Sequence, residues 1–292
     1  TPMPELPEVE TMRRGIAAVV GLRISAAEFP RGTRRPIAVR PTPEALARTL
    51  PGRRIAAAVR FGKRVGLELA PGGGAPRQWL LIEPRMTGLM LVAPPPTTDH
   101  VRLVLTLESR RVPRLLFWDR RGLGTVRLVD DRGLEEACGP ERLGPDGLAI
   151  TGSDLAARLG RSRRAVKVAL LDQKAVAGIG NIYAAEILFS AGIDPRAACR
   201  RLNDDAWEKI AATARRLLAT AVRLEGSTIG DATYKTADNR SGRFQHRHRV
   251  YGREDRPCRR CGGTIERIVQ AQRSTFFCPG CQWHPRRRSR TL

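Results

Sequence analysis

No apolar run in this chain is long. Runs such as residues 79–82 and 115–118 fall far short of the ~18 residues that a membrane helix needs. Residues 4–10 are proline-rich and acidic, so a leader of the charged-then-apolar kind is not expected. The expectation is a soluble, cytoplasmic protein with no membrane partner. Acidic residues are few: 29 Asp and Glu stand against 52 Lys and Arg, a net charge of +23 over 292 residues. Such self-repulsion is tolerable where a polyanion supplies the counter-charge. Lysine is scarcest of the charged types, with only Lys63, Lys167, Lys174, Lys209 and Lys235 beside 47 arginines. Between 240 and 292 fourteen arginines face Glu254, Asp255 and Glu266, so about half of the excess charge sits in the last fifth of the chain. No basic helix with a broad apolar face accompanies it, which points to nucleic acid rather than a membrane surface. The four histidines (His100, His246, His248, His284) have no spacing that demands a role.

What is present suffices for folded cores. Hydrophobic residues make up 41%, and the length suits two domains with a small third. Six cysteines occur, four of them paired as Cys258-x2-Cys261 and Cys278-x2-Cys281. Two such pairs match the tetrahedral thiolate set of one structural Zn2+. The other use, two disulfides in an exported protein, fits poorly: Cys138 and Cys199 stand alone and nothing directs export.

Periodicity divides the chain. Val9, Met12, Ile16, Val19 and Val20 recur at near-helical spacing, predicting an amphipathic helix over 8–20 that ends at Gly21. Beyond it the period falls to two. Val65, Leu67 and Leu69 alternate, as do Val101, Leu103, Leu105 and Leu107, and further runs at 79–82, 88–92, 115–118 and 125–129 are separated by Pro/Gly turns. About eight strands over 22–130 predict a β-sandwich or barrel. From 152 the grain is helical: Asp154 is expected to cap a helix to Leu159, with helices over 165–171 and 182–190, and Asp204 to cap the longest, 206–224. Residues 226–245 are polar and rich in Gly, Ser and Thr, a long loop. No internal repeat is visible. The divisions expected are 1–130, a linker over 131–151 with much Gly and Pro, a helical domain over 152–245 that includes the loop, a zinc module over 246–285, and a basic tail over 286–292.

Five stretches carry a resemblance. Pro4-Glu5-Leu6-Pro7-Glu8-Val9-Glu10, Gly62-Lys63, Met86-Thr87-Gly88, Gly178-Ile179-Gly180-Asn181-Ile182-Tyr183, and Val250-Tyr251-Gly252-Arg253 before the zinc cysteines resemble, in order, the bacterial formamidopyrimidine-DNA glycosylases. The resemblance implies an α+β multidomain fold: an N-terminal helix and β-sandwich, a helix-two-turns-helix domain and a C-terminal zinc finger. It also implies a monomer that excises oxidised purines such as 8-oxoguanine and formamidopyrimidines from double-stranded DNA. The strand is then nicked by β- or β,δ-elimination, and in a bacterium the enzyme would sit on the nucleoid when bound.

The chemistry explains the residue choices. A stacked base is out of reach, so it is rotated out of the duplex, and a nucleophile attacks the anomeric carbon of its sugar. A terminal secondary amine gives an iminium that has no N–H left to lose and so stays charged, and an α-amino group titrates at roughly 7.7–8.0. By resemblance Pro4 is that nucleophile, Glu5 protonates the sugar ring oxygen, and Glu8 takes a supporting acid role. Lys63, Asn181 and Arg273 would pinch the phosphate backbone, with Lys63 and Arg273 also serving the first and second eliminations, and Arg163 falls near another DNA-touching position. Met86, Arg121 and Leu123 would fill the emptied stack, Arg121 facing the orphaned cytosine and Leu123 standing where the family has a wedge phenylalanine. Residues 226–245 match a lesion-capping loop, in which Arg240 replaces a common lysine.

Two features depart from the family pattern. Thr1-Pro2-Met3 precede Pro4, and an acylated Pro4 is neither basic nor nucleophilic, so translation is expected to begin at Met3, which is then removed. Glu83-Pro84-Arg85-Met86 stands where the family has a phosphate-binding histidine. Glu83 would repel a phosphate, and Arg85, two residues along a strand and therefore on the same face, would supply the missing cation. Two other readings use the same residues: a non-catalytic zinc protein that binds damaged DNA, and an endonuclease VIII-like glycosylase for oxidised pyrimidines. The long 226–245 loop argues against the latter.

Overall fold

The period-two segments of the first half fold into nine strands among the described residues, which in this computed structural model are 3–30, 35–71, 76–230 and 232–282. The expected basic tail, 286–292, lies outside them. The chain forms two units. One combines residues 1–142 with 221–245; the other combines 143–220 with 246–292.

In the first unit, α1 (Leu6–Gly15) leads into β1 (Ile24–Glu28), β2 (Ala38–Arg40), α2 (Pro43–Thr49), β3 (Ile55–Phe61), β4 (Arg64–Leu69), β5 (Gln78–Glu83), β6 (Gly88–Leu91), β7 (Val101–Leu107), β8 (Arg114–Asp119), β9 (Thr125–Val129) and α3 (Asp131–Cys138). Two sheets form, β1-β7-β8-β6 and β2-β9-β5-β4-β3, antiparallel throughout except for the β2–β9 pair. Ile24, Leu89, Leu103 and Leu105 from one sheet and Leu67, Leu80, Ile82 and Val126 from the other bury in one core, joined by Val9, Met12 and Ile16 of α1. The alternative of a barrel is thus settled as a sandwich.

Three local expectations are corrected. The first helix does not run to Gly21. It stops at Gly15, and a 3-10 turn over Ala17–Val19 carries the apolar pattern onward. A Cβ on Gly15 would fall 2.5 Å from that of Ala237, so glycine permits the close approach of the 226–245 loop. Residues 131–151 are not a bare linker either: Asp130 caps α3, and Trp79 Nε1 on β5 donates to Asp131 Oδ1 at 3.2 Å. This outer cover explains why 79–82 is an unbroken apolar run, because β5 is buried on both faces. Helix α2, capped by Thr42 with Pro43 in its first turn, interrupts what the sequence reads as strand territory.

In the second unit, α4 (Gly152–Leu159), α5 (Val166–Leu170) and α6 (Asn181–Ala191) precede α7 (Asp204–Arg223), whose C-terminal turn passes into the first unit's segment. The caps fall one to three residues earlier than expected. Thr151 caps α4, with Asp154 closing the capping box, and the Asn203 carboxamide rather than Asp204 accepts the Ala206 N–H of α7 at 3.0 Å. The hairpin β10 (Glu266–Gln270) and β11 (Arg273–Phe277) turns at Ala271 and Gln272, both with positive φ (46° and 60°). Ala185 and Phe189 of α6 pack with Val250, Ile265 and Phe276 beneath it. Among the described residues no helix is long and apolar enough to cross a membrane.

Candidate active site and nucleic-acid contacts

Proline at position 7 and a carboxylate pair make the start of α1. Glu5 is the N-cap and Glu8 the third helical residue; they form a reciprocal capping box in which Glu5 N–H donates to Glu8 Oε2 at 3.0 Å. Pro4, Glu5 and Glu8 are all buried. The other Glu8 oxygen accepts the Ser227 N–H at 2.8 Å, so one carboxylate ties the helix start to the beginning of the 226–245 loop. Gly226, with φ +74°, permits this, since a Cβ there would come 2.8 Å from Glu8 Oε1.

The loop itself folds against the first unit, not with the helices that precede it in sequence. Ala237 is fully buried in the sandwich core, and its carbonyl accepts the Val92 N–H at 3.0 Å. Tyr234 Oη donates to the Glu225 carbonyl at 3.0 Å. Burial, then the neighbouring Glu8, push its phenol well above the usual range, so it stays protonated. Arg240 is exposed and paired with Asp238 at 3.1 Å.

Lys63 sits in the tight β3–β4 turn after Gly62 (φ +57°). That turn is joined to α1 through Arg60, whose Nε lies 3.1 Å from Glu10 Oε2 and whose Nη1 donates to the Gly62 carbonyl. Burial pushes the Glu10 carboxyl up, but Arg13, Arg14 and Arg60 outweigh it and hold the group below the usual carboxylate range. The half-buried Met86 follows β5, and the exposed Arg121 and half-buried Leu123 lie in the β8–β9 loop. These two loops meet at Asp119, a fully buried carboxylate that sequence reasoning missed. It accepts from the Thr87 hydroxyl at 2.5 Å and from the N–H groups of Arg121 and Gly124 at 3.2 and 2.8 Å.

The expectation for Arg85 rests on a strand that is not there. β5 ends at Glu83, Pro84 follows, and Arg85 turns with φ +54°. The two side chains nevertheless meet: Arg85 Nε is 3.1 Å and Arg64 Nε 3.4 Å from the Glu83 carboxylate. Glu83 is therefore a bracketed anion within a group of net charge +1, not an isolated repulsive charge.

In the second unit, Asn181 opens α6 without capping it. Its Oδ1 accepts from Lys167 Nζ at 2.5 Å, and its Nδ2 donates to the Ser274 carbonyl of β11 at 3.0 Å. Lys167 is fully buried, and only its rarity in the sequence hinted at it. Arg273, exposed, begins β11 one residue from Ser274, so Lys167, Asn181 and the finger hairpin form one connected support. Arg163 is exposed in the turn before α5, apart from these contacts.

The sulfurs of Cys258, Cys261, Cys278 and Cys281 lie within 4.8 Å of one another. Burial raises Cys258, but N–H donors at Arg260 and Cys261 and the neighbouring thiols bring it to about 7, whereas burial and the surrounding sulfurs push Cys281 up to about 12. Four thiolates this close need a cation among them, and one Zn2+ held by these cysteines supplies it. The shell is closed, so the ion is structural.

Comparison with known proteins agrees in order along the chain. A model of the formamidopyrimidine-DNA glycosylase N-terminal domain matches residues 3–126, one of its H2TH domain matches 143–233, and one of the zinc finger found in FPG and IleRS matches 256–282. The chain is 40% identical over 280 residues to the formamidopyrimidine-DNA glycosylase of Solibacter usitatus, covering 96% of this chain and 99% of the relative. It is 41% identical over 292 residues to that of Chloroflexus aggregans, covering 96% and 98%. The crystal structure of MutM (FPG) from Thermus thermophilus superposes with a TM-score of 0.81 at 39% identity, over 96% of this chain and 99% of that one. A Lactococcus lactis FPG mutant in complex with DNA containing Fapy-dG superposes at 0.84 with 31% identity, again over 96% and 99%. Matched in sequence, domain order and fold over nearly its whole length, this chain belongs to the formamidopyrimidine-DNA glycosylase family.

Proposed function

We propose that the protein is a DNA glycosylase and AP lyase that removes oxidised purines and cleaves at the resulting abasic sites, working through the nitrogen of Pro4. The observation that carries the reading is the start of α1, where two buried carboxylates sit beside Pro4 at a helix N-terminus, whose dipole favours their charge. The Pro4 nitrogen attacks C1′ as the base leaves, and the Glu5 carboxylate passes the proton lost from that nitrogen to the ring oxygen, opening the sugar to an iminium. That cation acidifies the C2′ hydrogen. Its loss expels the 3′ phosphate, and a second elimination on the 5′ side releases the sugar. Lys63 and Arg273 serve these two eliminations, and Asn181 with Arg163 holds phosphates. Met86, Arg121 and Leu123 occupy the vacated stack, and the loop bearing Arg240 closes over the lesion. Zn2+ fixes the finger that carries Arg273. Support for the substrate comes from the Lactococcus lactis enzyme, seen with DNA containing Fapy-dG and with DNA containing an abasic site. The same enzyme has also been seen with DNA containing an oxidised pyrimidine, so both lesion classes belong in the test.

Borohydride reduction tests the reading. Protein beginning at Pro4 should form a covalent adduct with 8-oxoguanine duplexes, faster than with an oxidised pyrimidine, and protein that retains Thr1–Met3 should form none. Absence of any adduct from the Pro4 form would end the catalytic assignment. Intact mass of protein from its native host should give Pro4 as the first residue.

A further inference from the structure

We propose that Asp119 is the positioning residue that makes Met86, Arg121 and Leu123 a single pre-set wedge; the inference rests on the stack-filling role given to those three side chains above. Asp119 ends β8 opposite Gly88 of the paired β6, and its carboxylate is wholly buried where the loops flanking these two strand ends meet. One oxygen accepts the Thr87 hydroxyl and the Arg121 N–H; the other accepts the Gly124 N–H. The Thr87 hydroxyl also accepts the Arg121 N–H at 3.0 Å, closing a small ring of bonds. Met86 immediately precedes Thr87, and Leu123 immediately precedes Gly124, so each wedge residue is adjacent to, or is itself, a residue held by this carboxylate.

The clamp is fixed from behind. Arg102 Nε donates to the Asp119 carbonyl at 3.0 Å, and the Asp119 N–H donates to the His100 carbonyl at 2.8 Å. Both loops are tightly confined. A Cβ on Gly88 would lie 2.5 Å from the Pro84 carbonyl, and one on Gly124 would lie 2.6 Å from the Phe117 ring. Buried hydrogen bonds to a charged acceptor are among the strong ones, and ordering the two loops that carry the wedge before DNA arrives removes entropy that binding would otherwise lose. Asp119 thus acts through its neighbours and touches no reacting atom.

Two substitutions test this without changing a wedge residue. Thr87→Val keeps volume and removes the hydroxyl; Asp119→Asn replaces one acceptor with a donor facing the Gly124 N–H. In duplex DNA the turnover rate for oxidised-purine excision should fall by about tenfold or more, the scale of one lost charged hydrogen bond. A single strand with a pre-formed abasic site has no stack to fill, so borohydride trapping on it should stay within about twofold of the parent protein. Thr87→Ser should restore duplex activity. Duplex turnover within twofold of the parent, or trapping on single strands that falls in parallel, would overturn the proposal. A parent protein that traps nothing on either substrate refutes the catalytic reading instead. In that case 2-aminopurine opposite the lesion decides the clamp: its fluorescence change on binding should be lost in Thr87→Val and Asp119→Asn, and a retained change refutes it.

Discussion

Glu186 of α6 is closed to solvent, yet its carboxylate accepts N–H bonds from Arg249, Val250 and Tyr251 at 2.8–3.0 Å. Burial pushes the group up, while these donors pull it back. The segment leading into the finger is therefore seated on one side chain. His248 lies beside it, ring-to-edge with Tyr251 at 5.8 Å. Burial, then the charges of Arg259 and His246, lower His248 to about 4. Because the folded value is below the unfolded 6.5, the unfolded chain binds more protons between these limits. Stability is full above the unfolded value and is lost as pH falls from about 6.5 towards 4, by up to about 3 kcal/mol. Urea unfolding at several pH values should show this slope, and His248→Phe should flatten it; equal slopes would contradict a neutral buried imidazole. None of this was legible from the sequence, where His248 has no telling neighbours. Lys167 is a different case. The scarcity of lysine that singles out Lys63 applies equally to Lys167, but its use lies in a bond to Asn181, fourteen residues on, that no local pattern encodes.

Regular elements were legible where burial is one-sided. The alternation in β4 and β7 and the apolar face of α7 follow directly from a core on one side. What was missed depends on contacts between distant residues. Helix α3 exists because Trp79 and the outer face of β5 need covering, and the true caps Thr151 and Asn203 differ from the acids expected because carboxylates sit well in a helix's first turn too. The four cysteines announced their element by spacing alone. Their metal holds the β10–β11 hairpin, and with it Arg273 and the Ser274 carbonyl that fixes Asn181. Chelation should therefore weaken duplex binding by at least about tenfold, one charged contact's worth, and re-added Zn2+ should restore it. Binding that survives full metal removal would show that the finger tip contributes no contact.

Across the whole molecule the +23 charge predicts affinity that falls steeply with salt, at about 0.9 of a log unit per phosphate contact for each log unit of salt. The Glu83 cluster tests how that charge is distributed. Arg85→Ala should make the salt slope shallower by about 0.9 if Arg85 reaches a phosphate. Glu83→Gln, which frees both Arg64 and Arg85, should tighten binding and steepen the slope. Unchanged slopes in both variants would assign the cluster to surface balance alone.

The first unit is discontinuous: Tyr234 and Ala237 fill its core only after the chain has passed through the whole helical stretch between them and β9. During synthesis the ribosome releases the sandwich long before its last two packing residues exist. The enzyme's working end therefore cannot mature until residue 245 has left the exit tunnel, and a prematurely terminated product would leave a seam that only the missing loop can close.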